Sequence, residues 1–193
     1  MARITLIQGH PTADARHFCH ALADSYREGA QAAGHEVRDI EVARLDFPVL
    51  RARSDWESAP PTPDIAAAQE DLSWADHLVL VYPLWLGTMP ALVKAFLEQA
   101  LRPGFAVPAR FDEKGFRGRL QGKSARIIVT MGMPAWVYRW YFLAHGLKSL
   151  ERSILGMVGV SSRHTLIGSV EAASDARRQG WLDSVRRLGA AAN

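Results

Sequence analysis

Short apolar runs alternate with segments whose apolar positions recur every three or four residues, and this pattern extends along the whole chain. Ile4–Gln8 opens the series as a strand. Over Asp14–Ala33 the residues Phe18, Leu22 and Tyr26 share one helical face, and Gly34 stops the helix. Val37–Val42 reads as a second strand. Thr62 and Pro63 supply the N-cap and first position of a helix that keeps Ile65, Ala68, Leu72 and Ala75 on one side. Leu78–Val81 shows no polar alternation, the pattern of a central parallel strand covered on both faces. A helix over Pro90–Leu101 ends at Pro103-Gly104, and Ile127–Val129 forms a fourth strand. Trp140, Leu143, Leu147 and Leu150 predict one continuous helix before a fifth strand at Thr165–Ile167. The last helix, Asp175–Leu188, is expected to bury Trp181, Val185 and Leu188. Two stretches lack periodicity: Phe47–Pro63 is read as a surface excursion and Gly104–Gly122 as a long loop.

Strands alternating with helices predict an α/β fold, a five-stranded parallel sheet with helices on both faces. Composition adds that one domain over residues 1–193 suffices, since 48% hydrophobic content closes one sizeable core. The 23 Lys and Arg exceed the 20 Asp and Glu by only three and form no continuous stripe, so no nucleic-acid partner is expected. Cys19 stands alone, which rules out an intrachain disulfide and a cysteine-built metal site and fits a reducing compartment. The opening run Met1–Ile7 is too short for a signal peptide, and no apolar run reaches membrane-spanning length. A soluble, cytoplasmic protein without membrane insertion or a metal is the expectation.

In an open parallel sheet, ligands sit beyond the carboxyl ends of the strands, where the strand order reverses. Three segments end there with unusual residues. After the first strand, Gly9-His10-Pro11-Thr12-Ala13-Asp14-Ala15-Arg16-His17 delivers the chain into a helix whose first amides lack intrahelical partners. Such a terminus draws phosphate, with Arg16, His10 and His17 adding donors, although the loop lacks the Lys-Ser/Thr ending of a Walker motif; a plain strand-to-helix turn would look the same. After the third strand, Pro83-Leu84-Trp85-Leu86-Gly87-Thr88-Met89-Pro90 forms a rigid loop with exposed amides, suited to one edge of a flat ring. Thr130-Met131-Gly132-Met133-Pro134 closes the fourth strand and runs into the aromatic-dense stretch Ala135–Tyr141, which standing alone reads as core or interface packing.

Taken in order, these segments resemble the NAD(P)H:quinone oxidoreductase family of flavodoxin-like proteins, which contains DT-diaphorase, the bacterial modulators of drug activity and the ancillary subunits of glutathione-gated potassium efflux systems. The resemblance runs through Gly9-His10-Pro11, Pro63-Asp64-Ile65 with Gln69, Ala75-Asp76, Pro83-Leu84, Pro90-Ala91, Lys94 and Gly104-Phe105-Ala106. It continues through Gly122-Lys123, Thr130, Gly132, His145-Gly146, Ile154-Leu155 and Asp175-Ala176-Arg177. It implies a flavodoxin-like fold with a non-covalent flavin, and hydride taken from NAD(P)H to serve two-electron reduction of a quinone-like acceptor. His10 and the amides around Ala15, Arg16 and His17 would meet the phosphates. Pro83, Leu84, Trp85, Leu86 and Gly87, with Thr130, Met131, Gly132 and Met133, would surround the isoalloxazine. Tyr138, or Tyr141 by a small shift of alignment, and His145 fall where the family places a Tyr and a His beside flavin and acceptor.

Departures qualify these expectations. Ala15 replaces the usual phosphate-binding Ser, and Leu86 and Gly87 replace aromatics of the acceptor pocket. Arg177 matches an Arg near the adenine of FAD-binding relatives, which favours FAD over FMN. The resemblance further implies a homodimer. Its alternative role is a flavin-binding ancillary subunit acting through a membrane transporter, while a one-electron flavodoxin carrier fits poorly with the basic charge.

Overall fold

The computed structural model describes residues 1–108 and 118–193. Part of the long loop expected over Gly104–Gly122 therefore lies outside the described residues. Five parallel strands, β1 (Arg3–Gln8), β2 (Glu36–Glu41), β3 (His77–Pro83), β4 (Ser124–Met131) and β5 (Ser161–Gly168), form one sheet in the order β2-β1-β3-β4-β5. This doubly wound order reverses between β1 and β3, the point at which such a sheet opens a crevice.

The unbroken hydrophobicity of β3 is explained by alternation between two covered faces. Leu78, Leu80 and Tyr82 enter one core with Ile65, Leu72, Val93 and Phe96 of α3 (Pro63–Trp74) and α4 (Ala91–Ala100). Val79 and Val81 enter the other, with Leu22 and Tyr26 of α1 (Phe18–Ala32) and Val185 of α7 (Asp175–Ala190). α1 and α7 approach until their backbones nearly touch. A methyl carbon at Gly29 would stand 2.0 Å from the Arg186 carbonyl oxygen, and one at Gly189 would stand 2.1 Å from that of Tyr26. This contact carries the C-terminal end of α7 over the amino ends of the strands.

Four expectations change in the structure. α1 begins at Phe18 with His17 as N-cap, four residues later than the apolar spacing implied. Thr12 Oγ1 accepts the Asp14 N–H and Asp14 Oδ1 accepts the Arg16 N–H, so side chains satisfy the amides that a helix would otherwise use. The Phe47–Pro63 excursion contains a short helix, α2 (Arg53–Glu57), pinned by Arg102, whose Nη1 donates to the Ala59 carbonyl. Thr62 caps α3 by backbone geometry alone, because its hydroxyl donates to the Asp46 carbonyl instead.

The expected helix through Trp140 and Leu150 is broken. α5 (Ala135–Trp140) ends before Leu143 and Ala144, both left-handed at φ 53° and 49°, and α6 (His145–Lys148) runs into a π-helical turn, Ser149–Leu155. Trp140 and Leu143 face solvent while Leu147 and Leu150 are buried, so the four apolar residues do not share a face.

Candidate active site

The three loops singled out in the sequence meet beyond the carboxyl ends of β1, β3 and β4. A cleft of about 570 Å³ lies between them, lined by His10, Pro11, Thr12, Arg16, His17, Phe18, Cys19, Pro83, Trp85, Thr130, Val170, Glu171 and Arg178. Its size and mixed lining suit a cofactor-sized ligand.

The loop after β1 is fixed from beneath by a chain of hydrogen bonds. His20 bonds through Nδ1 to Gln8 Oε1 at 2.7 Å and through Nε2 to the Thr12 carbonyl at 2.9 Å, which ties the loop to its own strand. His10 Nδ1 lies 3.2 Å from the Thr12 carbonyl oxygen and 3.3 Å from the Thr12 nitrogen, which ties the ring to its own loop. His17 stacks on His10 at 4.0 Å, and burial lowers the His10 pKa below the ordinary imidazole range. Arg16 reaches Asp14 through several hydrogen bonds and holds that carboxyl down at about 2. Arg178 lies at the same end and donates to the Val170 carbonyl at 3.2 Å. The backbone amides of Phe18 and Cys19, at the start of α1, have no hydrogen-bond partner among the described residues. Free amides, imidazoles and two guanidinium groups, that of Arg16 already paired with Asp14, gather at this end of the cleft.

The opposite wall is a tight turn. Trp85 N–H donates to the Thr88 carbonyl at 2.9 Å and Thr88 N–H to the Trp85 carbonyl at 3.0 Å, leaving Leu86 and Gly87 as the central pair at φ 47° and 83°. Neither central amide has a hydrogen-bond partner among the described residues. The turn is held from behind by Tyr138, which is buried, donates its hydroxyl proton to the Gly87 carbonyl and accepts the Leu147 N–H, each at 3.1 Å. Gly146 packs against the same turn so closely that a methyl carbon there would stand 2.3 Å from the Gly87 oxygen.

The end of β4 supplies the floor. Thr130 Oγ1 lies 3.1 Å from Cys19 Sγ, and burial pushes the Cys19 thiol up to about 11, so the sulfur is an uncharged packing group. The amides of Gly132 and Met133 are free of protein partners among the described residues. Glu171 lies over Gly132, its Oε2 3.0 Å from where a methyl carbon would be.

Of the residues named from sequence, the fold brings His10, Arg16, His17, Pro83, Trp85 and Thr130 into the cleft lining. Leu86, Gly87, Gly132 and Met133 sit in the bounding loops, while Leu84 and Met131 turn toward the core beneath them. Ala15 is exposed on the outside of the β1 loop. His145 is exposed at the start of α6, beside the glycine that props the turn. Arg177 lies on the first turn of α7 with its guanidinium 5.0 Å over the Trp181 ring, and its neighbour Arg178 is the one that enters the cleft. Sequence reasoning missed Phe18, Cys19, Val170, Glu171 and Arg178. The loop after β5 ends at the same sheet edge, a placement that was readable from the strand pattern and would have pointed to Val170 and Glu171.

These residues fit a flavin on the structure's own terms. Unpartnered amides lie at one end of the cleft and in the two loops that bound it, cations gather at the Arg16 and Arg178 end, and Trp85 and Pro83 line the other side. The residues occupy the switch point of the sheet, where such cofactors bind in this topology.

Comparison with known proteins agrees with that reading of the fold. The traD ribosyldihydronicotinamide dehydrogenase-like protein of Penicillium crustosum is 35% identical over 118 residues, 58% of this chain and 42% of that protein, so this chain spans less than half of that relative's length in the match. The FMN-dependent NADH:quinone oxidoreductase of Nitratidesulfovibrio vulgaris is 25% identical, with 97% of this chain and 98% of that one covered. The solved NAD(P)H:quinone oxidoreductase from Methanothermobacter marburgensis superposes with a TM-score of 0.83 at 22% identity, covering 98% of both chains. A family model described as flavodoxin-like fold matches residues 2–188. With nearly the whole chain matched and the sheet order agreeing, this protein belongs to the flavodoxin-like fold family.

Proposed function

We propose that the cleft holds a non-covalent flavin and that the protein is an NAD(P)H-dependent oxidoreductase reducing a quinone or similar small acceptor by two electrons. The observation that carries this reading is the convergence of free backbone amides and cations from three strand ends on one cleft. Relatives named as NADH:quinone oxidoreductases over nearly the full chain support the same class of activity. The flavin, when bound, accepts hydride and supplies the redox chemistry.

The chain's own residues bind and orient. His10, Arg16, His17 and Arg178, with the Phe18 and Cys19 amides, hold the phosphate end. Trp85 and Pro83 would wall the ring, and the Gly132 and Met133 amides would stabilise the negative charge that flavin reduction develops. Glu171 beside them tempers that field. Tyr138 acts as a positioning residue, since both hydrogen bonds of its hydroxyl hold the turn. His145, exposed and beside that turn, is the group assigned to deliver a proton to the acceptor oxygen.

FAD is the proposed form. Phe18 lines the cleft, its ring lies 5.9 Å from that of Trp181, and Arg177 covers Trp181, a platform on which an adenine can stack. Relatives named FMN-dependent make FMN the competing assignment.

A homodimer is part of the proposal. Trp136, Trp140, Tyr141, Phe142 and Leu143 are each exposed, as are Trp85 and Leu86, a concentration of large apolar side chains that a partner copy would cover. The same side chains would serve a transporter partner if the chain acts as an ancillary subunit. Among the described residues no helix is long and apolar enough to cross a membrane. A single buried cysteine supports placement in the reducing cytoplasm.

The test is an absorbance spectrum after incubation with excess FAD or FMN and desalting, followed by anaerobic NADH or NADPH. Retained flavin bands that bleach on adding nicotinamide are expected, with FAD retained in preference. Colourless protein overturns the flavin assignment. His145→Gln should slow acceptor reduction more than flavin reduction, and equal effects on both half-reactions would remove its role. A monomer with low turnover would favour the ancillary reading.

A further inference from the structure

The loop after β1 rests on a buried imidazole that does not itself reach the cleft. His20, on the first turn of α1, is 7% exposed and lies beneath the lining residues His10 and Thr12. Its Nδ1 stands 2.7 Å from Gln8 Oε1 and its Nε2 2.9 Å from the Thr12 carbonyl oxygen. A carbonyl oxygen can only accept, so Nε2 donates. The charge of the ring then turns on which end of the Gln8 amide faces Nδ1.

The neighbouring strand decides it. Gln8 is also 7% exposed, and the nitrogen of its amide is directed at Asp39 Oδ1 on β2, 3.5 Å away. Asp39 is paired with Arg27, whose Nε and Nη2 donate to it at 2.9 and 2.6 Å. An ionised carboxylate accepts and cannot donate, so the amide turns its NH2 to Asp39 and its oxygen to His20. The reverse orientation would set the amide oxygen against the carboxylate. Both nitrogens of His20 therefore face acceptors, and both acceptors are satisfied only when the ring carries two protons. A neutral ring would leave one nitrogen lone pair against an oxygen at a position closed to solvent.

The charged and titratable groups around the ring are Asp39 behind Gln8, Asp24 and Arg27 further along α1, Asp14, Arg16 and His17 in the loop, and His10, whose ring centroid is 5.5 Å away. Of the cations that line the cleft itself, Arg16 is paired with Asp14, and burial lowers the His10 pKa below the ordinary imidazole range. The bond to Thr12 also orients the loop. With the Thr12 carbonyl pointing at His20, the trans peptide turns the Ala13 N–H the opposite way, where it has no partner among the described residues.

We propose that His20 is a positioning residue held as an imidazolium by Gln8 and Asp39, and that, if the cleft holds the flavin assigned to it above, this buried charge stands behind the loop that takes the flavin's phosphate. It fixes the loop through the Thr12 carbonyl and favours flavins that carry a phosphate over those that do not.

Ring ¹⁵N shifts of the flavin-free protein near pH 7 test the charge without any ligand. Both His20 nitrogens are expected in the protonated range, and one in the unprotonated range would overturn the proposal. Asp39→Ala, at the surface, frees the Gln8 amide to turn its NH2 toward the ring, so one His20 nitrogen should lose its proton; a ring left doubly protonated would overturn the part given to Gln8 and Asp39. Flavin binding tests the consequence. His20→Gln keeps a donor for Thr12 but no charge, and it should weaken FMN binding about tenfold while leaving the affinity for riboflavin, which lacks the phosphate, nearly unchanged. Equal losses for both flavins would make His20 a prop of the loop alone and overturn the charge. Should His20→Gln fail to fold, Asp39→Ala carries the same comparison of FMN with riboflavin. A parent protein that binds neither flavin overturns the function proposed above, whereas a parent that binds both with a bare nitrogen on His20 overturns only this inference.

Discussion

Leu86 allows a sharp test of how the proposed ring-binding turn is built. Its φ of 47° places it in the left-handed region, and its side chain is fully exposed. The paired hydrogen bonds between Trp85 and Thr88 make it the first central residue of a two-residue turn, a position that favours Asn or Gly. A residue with a full side chain loses about 1 kcal/mol or slightly more in this conformation, and Asn avoids much of that because its short polar side chain tolerates it. No buried apolar area is lost, since Leu86 packs against nothing within its own chain. Leu86→Asn should therefore raise the unfolding free energy by about 1 kcal/mol, equivalent to roughly 2–4 °C in Tm for a chain of this size. The assay is thermal and urea unfolding of flavin-free protein over a hundredfold range of concentration. A variant melting at or below the parent at the lowest concentration would refute the reasoning. If the exposed apolar residues form a dimer interface, the gain should shrink as concentration rises, because a buried Leu in an interface contributes roughly 1.5–3 kcal/mol. Retention of the strained leucine would then reflect a function outside the folded chain.

Three further outcomes follow from the same geometry. Gly146→Ala would drive a methyl carbon to 2.3 Å from the Gly87 oxygen, so it should cost about 1–3 kcal/mol in urea unfolding and weaken flavin retention; unaltered retention would count against the turn as a ring wall. Tyr138→Phe leaves the Leu147 N–H without its acceptor and the Gly87 carbonyl without its donor, with an expected loss of about 1–3 kcal/mol; a variant as stable as the parent would show that the hydroxyl does not hold the turn. His77, whose pKa burial lowers from 6.5 to about 4 on folding, binds its proton more readily in the unfolded chain, so stability is fully present above pH 6.5 and declines as pH falls toward 4. The decline should reach about 3 kcal/mol at most, and His77→Gln should flatten it in urea melts between pH 7.5 and 4.5; an unchanged slope would mean that other groups govern it.

The order of elements and the parallel sheet were legible because each strand is short, apolar and punctuated by turn residues, and because β3 has no polar face to expose. That order already implied a crevice at the carboxyl ends of the strands, which is why His10, Arg16, His17, Pro83, Trp85 and Thr130 could be named from the chain alone. The start of α1 was not legible, since Thr12 and Asp14 capture amides with their own side chains, a competition that apolar spacing does not register. Nor was the break at Leu143 and Ala144, because four apolar residues at helical spacing look alike whether they pack or face solvent.

Tertiary structure alone decided which neighbour of a pair enters the cleft, as with Arg178 in place of Arg177, since one step along a helix rotates a side chain by about a hundred degrees. It also decided that the Tyr138 hydroxyl is occupied in holding a turn. The run of contacts from Arg27 through Asp39 and Gln8 to His20 belongs to the same class. Its members come from α1, β2 and β1, and only the parallel register of the two strands and the packing of α1 against them bring them together. Local sequence fixes what each segment can form, whereas a site assembled across strands depends on register and crossover, which are set by the packing of the whole domain.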